Sequence, residues 1–319
     1  MKKIAILTSG GDAPGMNACI RACVRSAINS GLEVYGVDRG YKGLVENRIF
    51  PMDSHSVCEI IHRGGTILKS ARCLEFKEKS TREIAAKNLK ALGIEGLVVI
   101  GGDGSFTGAK ALSDDFGINV VGIPGTIDND LAYTDFTLGF DTAVNTVLWA
   151  INALRDTMTS HDRVSIIKVM GRHCGDIALY AGICGGAEYI LVPEVPYDIQ
   201  KIASEIKTNK ERGKTASIIV LAEGAGNEQE IKDTVALISG ADVKFSTLGH
   251  IQRGGTPSMA DRMLAAKFGV AAIQILMDGK TNRVVGCKGK EIFDLDITEA
   301  LSQKKTIDKD LYDIAALLC

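Results

Sequence analysis

The chain has 319 residues and a mass of 34.0 kDa, room for two domains at roughly 100–200 residues each or for one large α/β unit. Lys and Arg number 37 against 39 Asp and Glu, a net charge of −2, which argues against a general nucleic-acid or membrane-surface binder, whose domain would be strongly basic. Small anionic ligands need only a local cluster, so they stay open.

Glycine is in excess: 35 residues, about 11% against roughly 7% in average usage. With 6 prolines and 45% hydrophobic residues, that excess does not signal disorder. No apolar run approaches the roughly 20 residues of a membrane span. After Met1-Lys2-Lys3 only four apolar residues precede Thr8, too few for a signal peptide. A cytoplasmic, soluble protein is expected.

The first predicted strand, Lys3–Thr8, ends in Gly10-Gly11, and a helix follows over about Gly15–Ser30. The turn reads TSGGDAPGMNA. Gly10 and Gly11 let the backbone turn sharply and approach a ligand. The helix points free N–H groups at that place, which favours an anion. A plain tight connection would read the same way, and no Gly-Lys-Ser/Thr follows to make a Walker loop. Arg21 and Arg25 lie four apart on this helix. Like charges at that spacing cost about 0.2–0.5 kcal/mol unless an anion or carboxylate offsets them; a solvated basic face is the ordinary alternative. Arg72 follows in KSARC.

A second strand, Gly96–Ile100, runs into Gly101-Gly102-Asp103-Gly104 and a helix through Ala109–Leu112. Asp103 is held between glycines at a strand end. Magnesium takes oxygen ligands and bridges phosphates, so Asp103 is a metal candidate, with helix capping as its bland alternative. The run Val120–Ile123 leads into IPGTIDND, residues 123–130. Phosphoryl transfer to an alcohol needs a carboxylate to accept the hydroxyl proton. Asp128 is that candidate, with Thr126 a hydroxyl donor beside it and Asp130 close by. Alone, the Asp-Asn-Asp string also fits a solvated turn.

A long helix is expected over Thr142–Arg155. The run Val164–Met170, Gly171 and a helix through Ile177–Ile183 repeat the strand, glycine, helix pattern, with Arg172 in VMGRHCGD. Apolar runs recur at Ile190–Val192, Ser217–Ala222 and Lys244–Leu248. Between them Ile199, Ile202, Ala203 and Ile206 mark one helix face, and Gly213 a stop. His250 and Arg253 lie in LGHIQRGG. Arginine beside glycine suits a bidentate phosphate grip. The eight cysteines, Cys19, Cys23, Cys58, Cys73, Cys174, Cys184, Cys287 and Cys319, form no two-residue-gap pair, so reduced thiols and no zinc site are expected. Strands alternating with helices predict an α/β fold whose mostly parallel sheets carry helices on both faces. Ligands then sit beyond the carboxyl ends of the strands, where these glycines fall.

Taken together, TSGGDAPGMNA, GGDGS, PGTIDND, MGR and GHIQRGG resemble, in order and spacing, the bacterial ATP-dependent 6-phosphofructokinase family across essentially the whole chain. The resemblance implies a glycolytic kinase that transfers the γ-phosphate of magnesium ATP to the 1-hydroxyl of fructose 6-phosphate. It implies two Rossmann-like three-layer lobes with the active-site cleft between them: residues 1–138 plus 251–305 for ATP, and 139–250 plus 306–319 for the sugar phosphate.

By resemblance, Gly11, Arg72, Cys73, Gly102, Asp103, Gly104 and Ser105 match nucleotide positions, with Asp103 the magnesium position. Asp128 matches the proton acceptor, and Arg172, Thr126 and Gly11 match groups that stabilise the transferring phosphoryl. Thr126, Ile127, Asp128, Met170, Gly171, Arg172, Glu223, His250, Ile251, Gln252 and Arg253 match sugar-phosphate positions. Arg163 and Lys244 match positions that reach a neighbouring subunit's substrate, so a homotetramer is implied. Lys244 stands where arginine is common, and a weaker grip on the 6-phosphate is expected.

Arg21, Arg25, Arg155, Gly186, Ala187, Glu188, Arg212 and Lys214 match an effector site for ADP or phosphoenolpyruvate. Ser54 stands there in place of an arginine, and Thr215 and Ala216 in place of a Lys-His pair. Relatives that use pyrophosphate resemble this family but carry an acidic residue at Gly104 and a lysine at Gly125. Small residues at both are expected to leave room for the α-phosphate and adenosine. A pyrophosphate-dependent enzyme, a kinase of the NAD or lipid type, and a non-catalytic sugar-phosphate sensor are the alternatives.

Overall fold

The computed structural model describes residues 1–318; Cys319 lies outside them. In chain order the strands are β1 (Lys3–Thr8), β2 (Glu33–Val37), β3 (Ile49–Met52), β4 (Gly96–Gly101), β5 (Asn119–Pro124), β6 (Arg163–Val169), β7 (Tyr189–Leu191), β8 (Ser217–Ala222), β9 (Asp242–Thr247), β10 (Arg283–Lys288) and β11 (Glu291–Asp296). The helices are α1 (Met16–Asn29), α2 (Gly40–Val45), α3 (Lys79–Ala91), α4 (Asp103–Phe116), α5 (Phe140–Thr159), α6 (Asp176–Cys184), α7 (Ile199–Glu211), α8 (Glu228–Ser239), α9 (Met259–Met277), α10 (Ile297–Ser302) and α11 (Lys309–Leu318).

Two compact units divide the chain. The first comprises Met1–Ile127, Leu131–Thr142 and Arg253–Lys304; the second comprises Asp128–Asp130, Ala143–Gln252 and the segment from Lys305 onward. Against the expected borders after 138, 250 and 305, the units change over after Thr142, Gln252 and Lys304, and Asp128–Asp130 group with the second unit.

The first unit carries a seven-stranded sheet in the order β11-β10-β5-β4-β1-β2-β3. Its central pairs are parallel, and only the edge pairs β2–β3 and β10–β11 are antiparallel. The central strands are apolar runs because both faces are covered. Ala5, Leu7, Leu97, Val99 and Val120 pack with Phe106, Ala109 and Leu112 of α4, and α1 and α9 pack on each other. Burying each large side chain contributes about 1.5–3 kcal/mol. Thr8 lies opposite Ile100 and Gly101 opposite Pro124. The glycine-rich turns after β1, β4 and β5 therefore leave the sheet at nearly one level.

The second unit carries a four-stranded, wholly parallel sheet in the order β7-β8-β6-β9. Val164, Ile166, Ile219 and Leu221 pack with Ala203 and Ile206 of α7 and with Ile231 and Val235 of α8. Asp198 caps α7 by accepting from the Gln200 and Lys201 N–H groups, and Asn227 caps α8 likewise. Val169 lies opposite Ala222 and Lys168 opposite Thr247, so the ends of β6, β8 and β9 are level too. No helix among the described residues is long and apolar enough to cross a membrane.

Candidate active site

In the first unit the nucleotide candidates gather at the ends of β1 and β4. Asp103 and Gly104 are exposed at the first turn of α4. A Cβ at Gly102 or Gly104 would meet nothing within 4 Å, and neither residue has a positive φ. The protein itself therefore makes no demand for glycine at these positions.

Gly125 differs from them. A Cβ there would stand 2.9 Å from Ile100 Cγ2 and 3.1 Å from Met16 Cε. The lack of a side chain at Gly125 therefore also serves packing against Ile100 and Met16.

The Arg253 guanidinium lies where a Gly11 side chain would be and donates to the Asp12 carbonyl at 3.2 Å. Ser105 is buried beneath the turn, and the Tyr41 hydroxyl donates to its carbonyl. The loop carrying Arg72 and Cys73 is tied to the first turn through Ser70, whose hydroxyl donates to the Gly10 carbonyl at 2.5 Å. Arg72 is exposed and Cys73 half-buried; burial pushes the Cys73 thiol up.

Two polar residues that the sequence reading passed over fasten this loop. Asn17, 1% exposed, donates to the Arg63 and Gly64 carbonyls and accepts from the Ile67 N–H. Thr8 donates to the Lys69 carbonyl at 2.8 Å. The available signal was a polar residue inside an otherwise apolar stretch. Thr126 and Ile127 are buried in the loop after β5, where Thr137 donates to the Thr126 carbonyl at 2.6 Å.

In the second unit Asp128 is fully buried, and its Oδ2 stands 3.2 Å from Arg172 Nε. Arg172 is an exposed side chain on a left-handed residue, φ 54°, directly after Gly171 at φ 132°. A Cβ at Gly171 would strike the Cys174 carbonyl, so this sharp turn requires glycine. The Arg172 N–H donates to Glu223 Oε1 at 2.6 Å and the Met170 N–H to Gln252 Oε1 at 3.1 Å. Gln252 is fully buried and also donates to the Gly249 carbonyl. Its amide thus braces the Met170–Arg172 turn. His250 and Ile251 are exposed on the same short turn. The geometry unites a carboxylate and a guanidinium at the end of β6, with Glu223 from the end of β8.

Arg163 and Lys244, on adjacent strands, share one carboxylate. Arg163 Nε and Lys244 Nζ each stand 2.8 Å from Asp242. The two cations hold the Asp242 carboxyl below its usual range, Lys244 first.

The effector candidates fall in both units. Arg21 and Arg25 lie on α1 of the first. In the second, Arg155 donates to the Gly185 and Gly186 carbonyls, with buried Ala187 next in the chain. Glu188 pairs with Lys214 at 3.0 Å and accepts from the Ile218 N–H. Glu188, Arg212 and Lys214 are among the residues lining a cavity of about 720 Å³. Thr215 is occupied with Asp162 at 2.5 Å.

Two α/β units of mostly parallel strands, the first with glycine turns at one strand level and the second with a carboxylate–guanidinium pair, fit a phosphoryl-transfer class of protein. The chain belongs to the phosphofructokinase family, whose profile matches residues 3–276. It is 59% identical over 318 residues to the ATP-dependent 6-phosphofructokinase of Clostridioides difficile, covering 100% of this chain and 99% of that one. It is 58% identical over 315 residues to ATP-dependent 6-phosphofructokinase 1 of Clostridium perfringens, covering 99% and 98%. Among solved structures, phosphofructokinase from Saccharomyces cerevisiae superposes with a TM-score of 0.89 at 34% identity; all of this chain spans 48% of that one. The pyrophosphate-dependent phosphofructokinase from Marinobacter aquaeolei superposes at 0.87 with 23% identity, covering 97% of this chain and 86% of that one. This last likeness concerns the fold alone.

Proposed function

We propose that this protein is a glycolytic, cytoplasmic ATP-dependent 6-phosphofructokinase that forms fructose 1,6-bisphosphate and ADP. The names of its full-length relatives support the substrates. One geometric observation carries the chemistry: buried Asp128 faces Arg172 at 3.2 Å. The first unit binds the nucleotide through the Gly11 turn, Arg72, Cys73 and Gly102–Ser105. The second binds the sugar phosphate through Met170–Arg172, Glu223 and His250, joined by Thr126, Ile127 and Arg253.

Asp128 takes the proton from the 1-hydroxyl as that oxygen attacks the γ-phosphorus in line, and ADP leaves. Arg172 answers charge on the transferring group, with the Thr126 hydroxyl and the Gly11 N–H as further donors. Asp103 offers an exposed carboxylate at the first turn of α4 and would be the residue to hold a magnesium ion, a hard cation that takes oxygen ligands. That ion would supply charge neutralisation for the transferring group.

A coupled assay for fructose 1,6-bisphosphate tests the reading. Asp128→Ser is expected to lower kcat by roughly 10²–10⁴-fold, the usual worth of a general base, with both KM values little changed. A near-normal kcat would refute the assignment, and no product from the wild type would refute the function.

We further propose that Arg21, Arg25, Arg155, Gly186, Ala187, Glu188, Arg212 and Lys214 take ADP or phosphoenolpyruvate. Affinity is lowered because Ser54, Thr215 and Ala216 add no cation. Activity at subsaturating fructose 6-phosphate should respond to one of them; silence toward both would reject the site.

A further inference from the structure

Asn129 sits between the two carboxylates of the PGTIDND loop, 1% exposed and left-handed at φ 52°. Its Nδ2 donates to Asp176 Oδ2 at 2.8 Å. The same oxygen meets Lys305 Nζ at 3.0 Å, with the Asp176 side chain 5% and the Lys305 side chain 21% exposed. Asp176 opens α6, so the helix N-terminus favours its charge. Lys305 begins the C-terminal segment of the second unit.

A buried ion pair is weak evidence for stability, because desolvation offsets its attraction. This pair does something more local. It gives the Asn129 amide a fixed acceptor, and Asn129 is the residue whose left-handed backbone follows Asp128. Asparagine tolerates that conformation without requiring it. Freed of its side-chain tie, the loop has right-handed alternatives, and each would re-aim the Asp128 carboxylate. On the opposite side Arg172 is also left-handed, and its N–H is tied to Glu223. Each member of the pair thus hangs from a turn pinned by a carboxylate.

We propose that Asp176, its charge balanced by Lys305, acts through Asn129 as a positioning residue that holds the Asp128 carboxylate at its working angle to Arg172. This rests on the reaction and the role of Asp128 proposed above.

Three variants of the full-length enzyme test it, alongside wild type and Asp128→Ser. Asn129→Gly keeps the left-handed turn and removes the tie. Asp176→Leu/Lys305→Met removes the acceptor and leaves no unpaired charge. Asp176→Asn/Lys305→Met keeps an acceptor without charge. A misplacement of about 1 Å costs up to roughly 10²-fold, so the first two should lose about 10–100-fold in kcat with both KM values near wild type. The third should recover most of the kcat. The idea is overturned if Asn129→Gly keeps its kcat, if the losses lie in KM alone, or if Asp176→Asn/Lys305→Met is as slow as its leucine counterpart. Should the leucine variant fail to fold by circular dichroism, the other two decide. An inactive wild type or an active Asp128→Ser would overturn the underlying reading instead, so the two failures are separable.

Discussion

Glycines that look alike in the sequence do different work. Gly104 has open space where a side chain would go, whereas Gly125 is closed in by Ile100 and Met16. Both read as ligand space from neighbouring strings, and neither string carries the distances that separate them. Gly104→Asp should leave the thermal midpoint nearly unchanged, since exposed substitutions stay within about ±0.5 kcal/mol, and should raise the KM for ATP at least several-fold. Gly125→Lys should cost about 1–3 kcal/mol through overpacking and lower the midpoint first. An unchanged ATP saturation curve for Gly104→Asp would count against ligand space at that residue. Asp128 and Arg172 could be singled out by type and by motif, but the residues that brace them, Asn129, Asp176 and Gln252, could not. The Asn129–Asp176 contact spans 47 residues of chain and the Gln252–Met170 contact 82.

At the scale of elements, the start of α5 is fastened by Asp261 of α9. The Asp261 carboxylate accepts from the Gly139 N–H at 2.8 Å, the Thr142 N–H at 2.9 Å and the Thr142 hydroxyl at 2.5 Å. Burial pushes its pKa up to about 6 from 3.8, overriding these hydrogen bonds, and Asp141 adds to the rise. A raised folded pKa means that the folded protein holds a proton the unfolded chain has released. The stabilising contribution is therefore complete below pH 3.8 and is lost as pH climbs through about 6. Urea unfolding from pH 4 to 7 should show the advantage of wild type over Asp261→Asn shrinking by roughly 2–3 kcal/mol at 1.36 kcal/mol per unit. A constant difference would contradict this origin.

The long α9 escaped the sequence reading because no clean stripe marks it. Met259, Met263 and Val270 are exposed, while Ala265, Phe268 and Ala272 are buried. By contrast α1, α6 and α7 fall within a residue or two of their expected positions, because each follows a glycine turn or shows a clear apolar face. Strands β2, β3, β10 and β11 also went unread; β3 and β11 are mixed in burial, and β2 and β10 are short runs, with no glycine turn directly after β2.

For the whole molecule, Leu237 is 86%, Met259 77% and Trp149 69% exposed. Single exposed apolar side chains are ordinary on a protein surface and decide nothing about assembly; the homotetramer is what the resemblance implies. Sedimentation velocity should give four times the 34.0 kDa chain mass; a monomer at micromolar concentration would exclude it. If Arg163 and Lys244 grip a substrate phosphate across subunits in that tetramer, Lys244→Arg should shift fructose 6-phosphate saturation to lower concentration. Both cations are engaged by Asp242, so the phosphate competes with a carboxylate already in place. Identical curves would reject that role.

The sequence by itself determined the α/β class, the rhythm of parallel strands and the turns from which the chemistry hangs. These are properties of short stretches: apolar runs with both faces covered, and glycines directly after them. Only the tertiary structure decided which glycines face open space, where the two units change over, and which buried partners hold the Asp128 turn. Those depend on residues far apart in the chain meeting at hydrogen-bonding distance. The net charge of −2 shows the same division. It argued against a broad polyanion-binding surface from composition alone. The pairing of Arg172 with Asp128, of Lys214 with Glu188 and of Lys305 with Asp176 became visible only once the chain was folded.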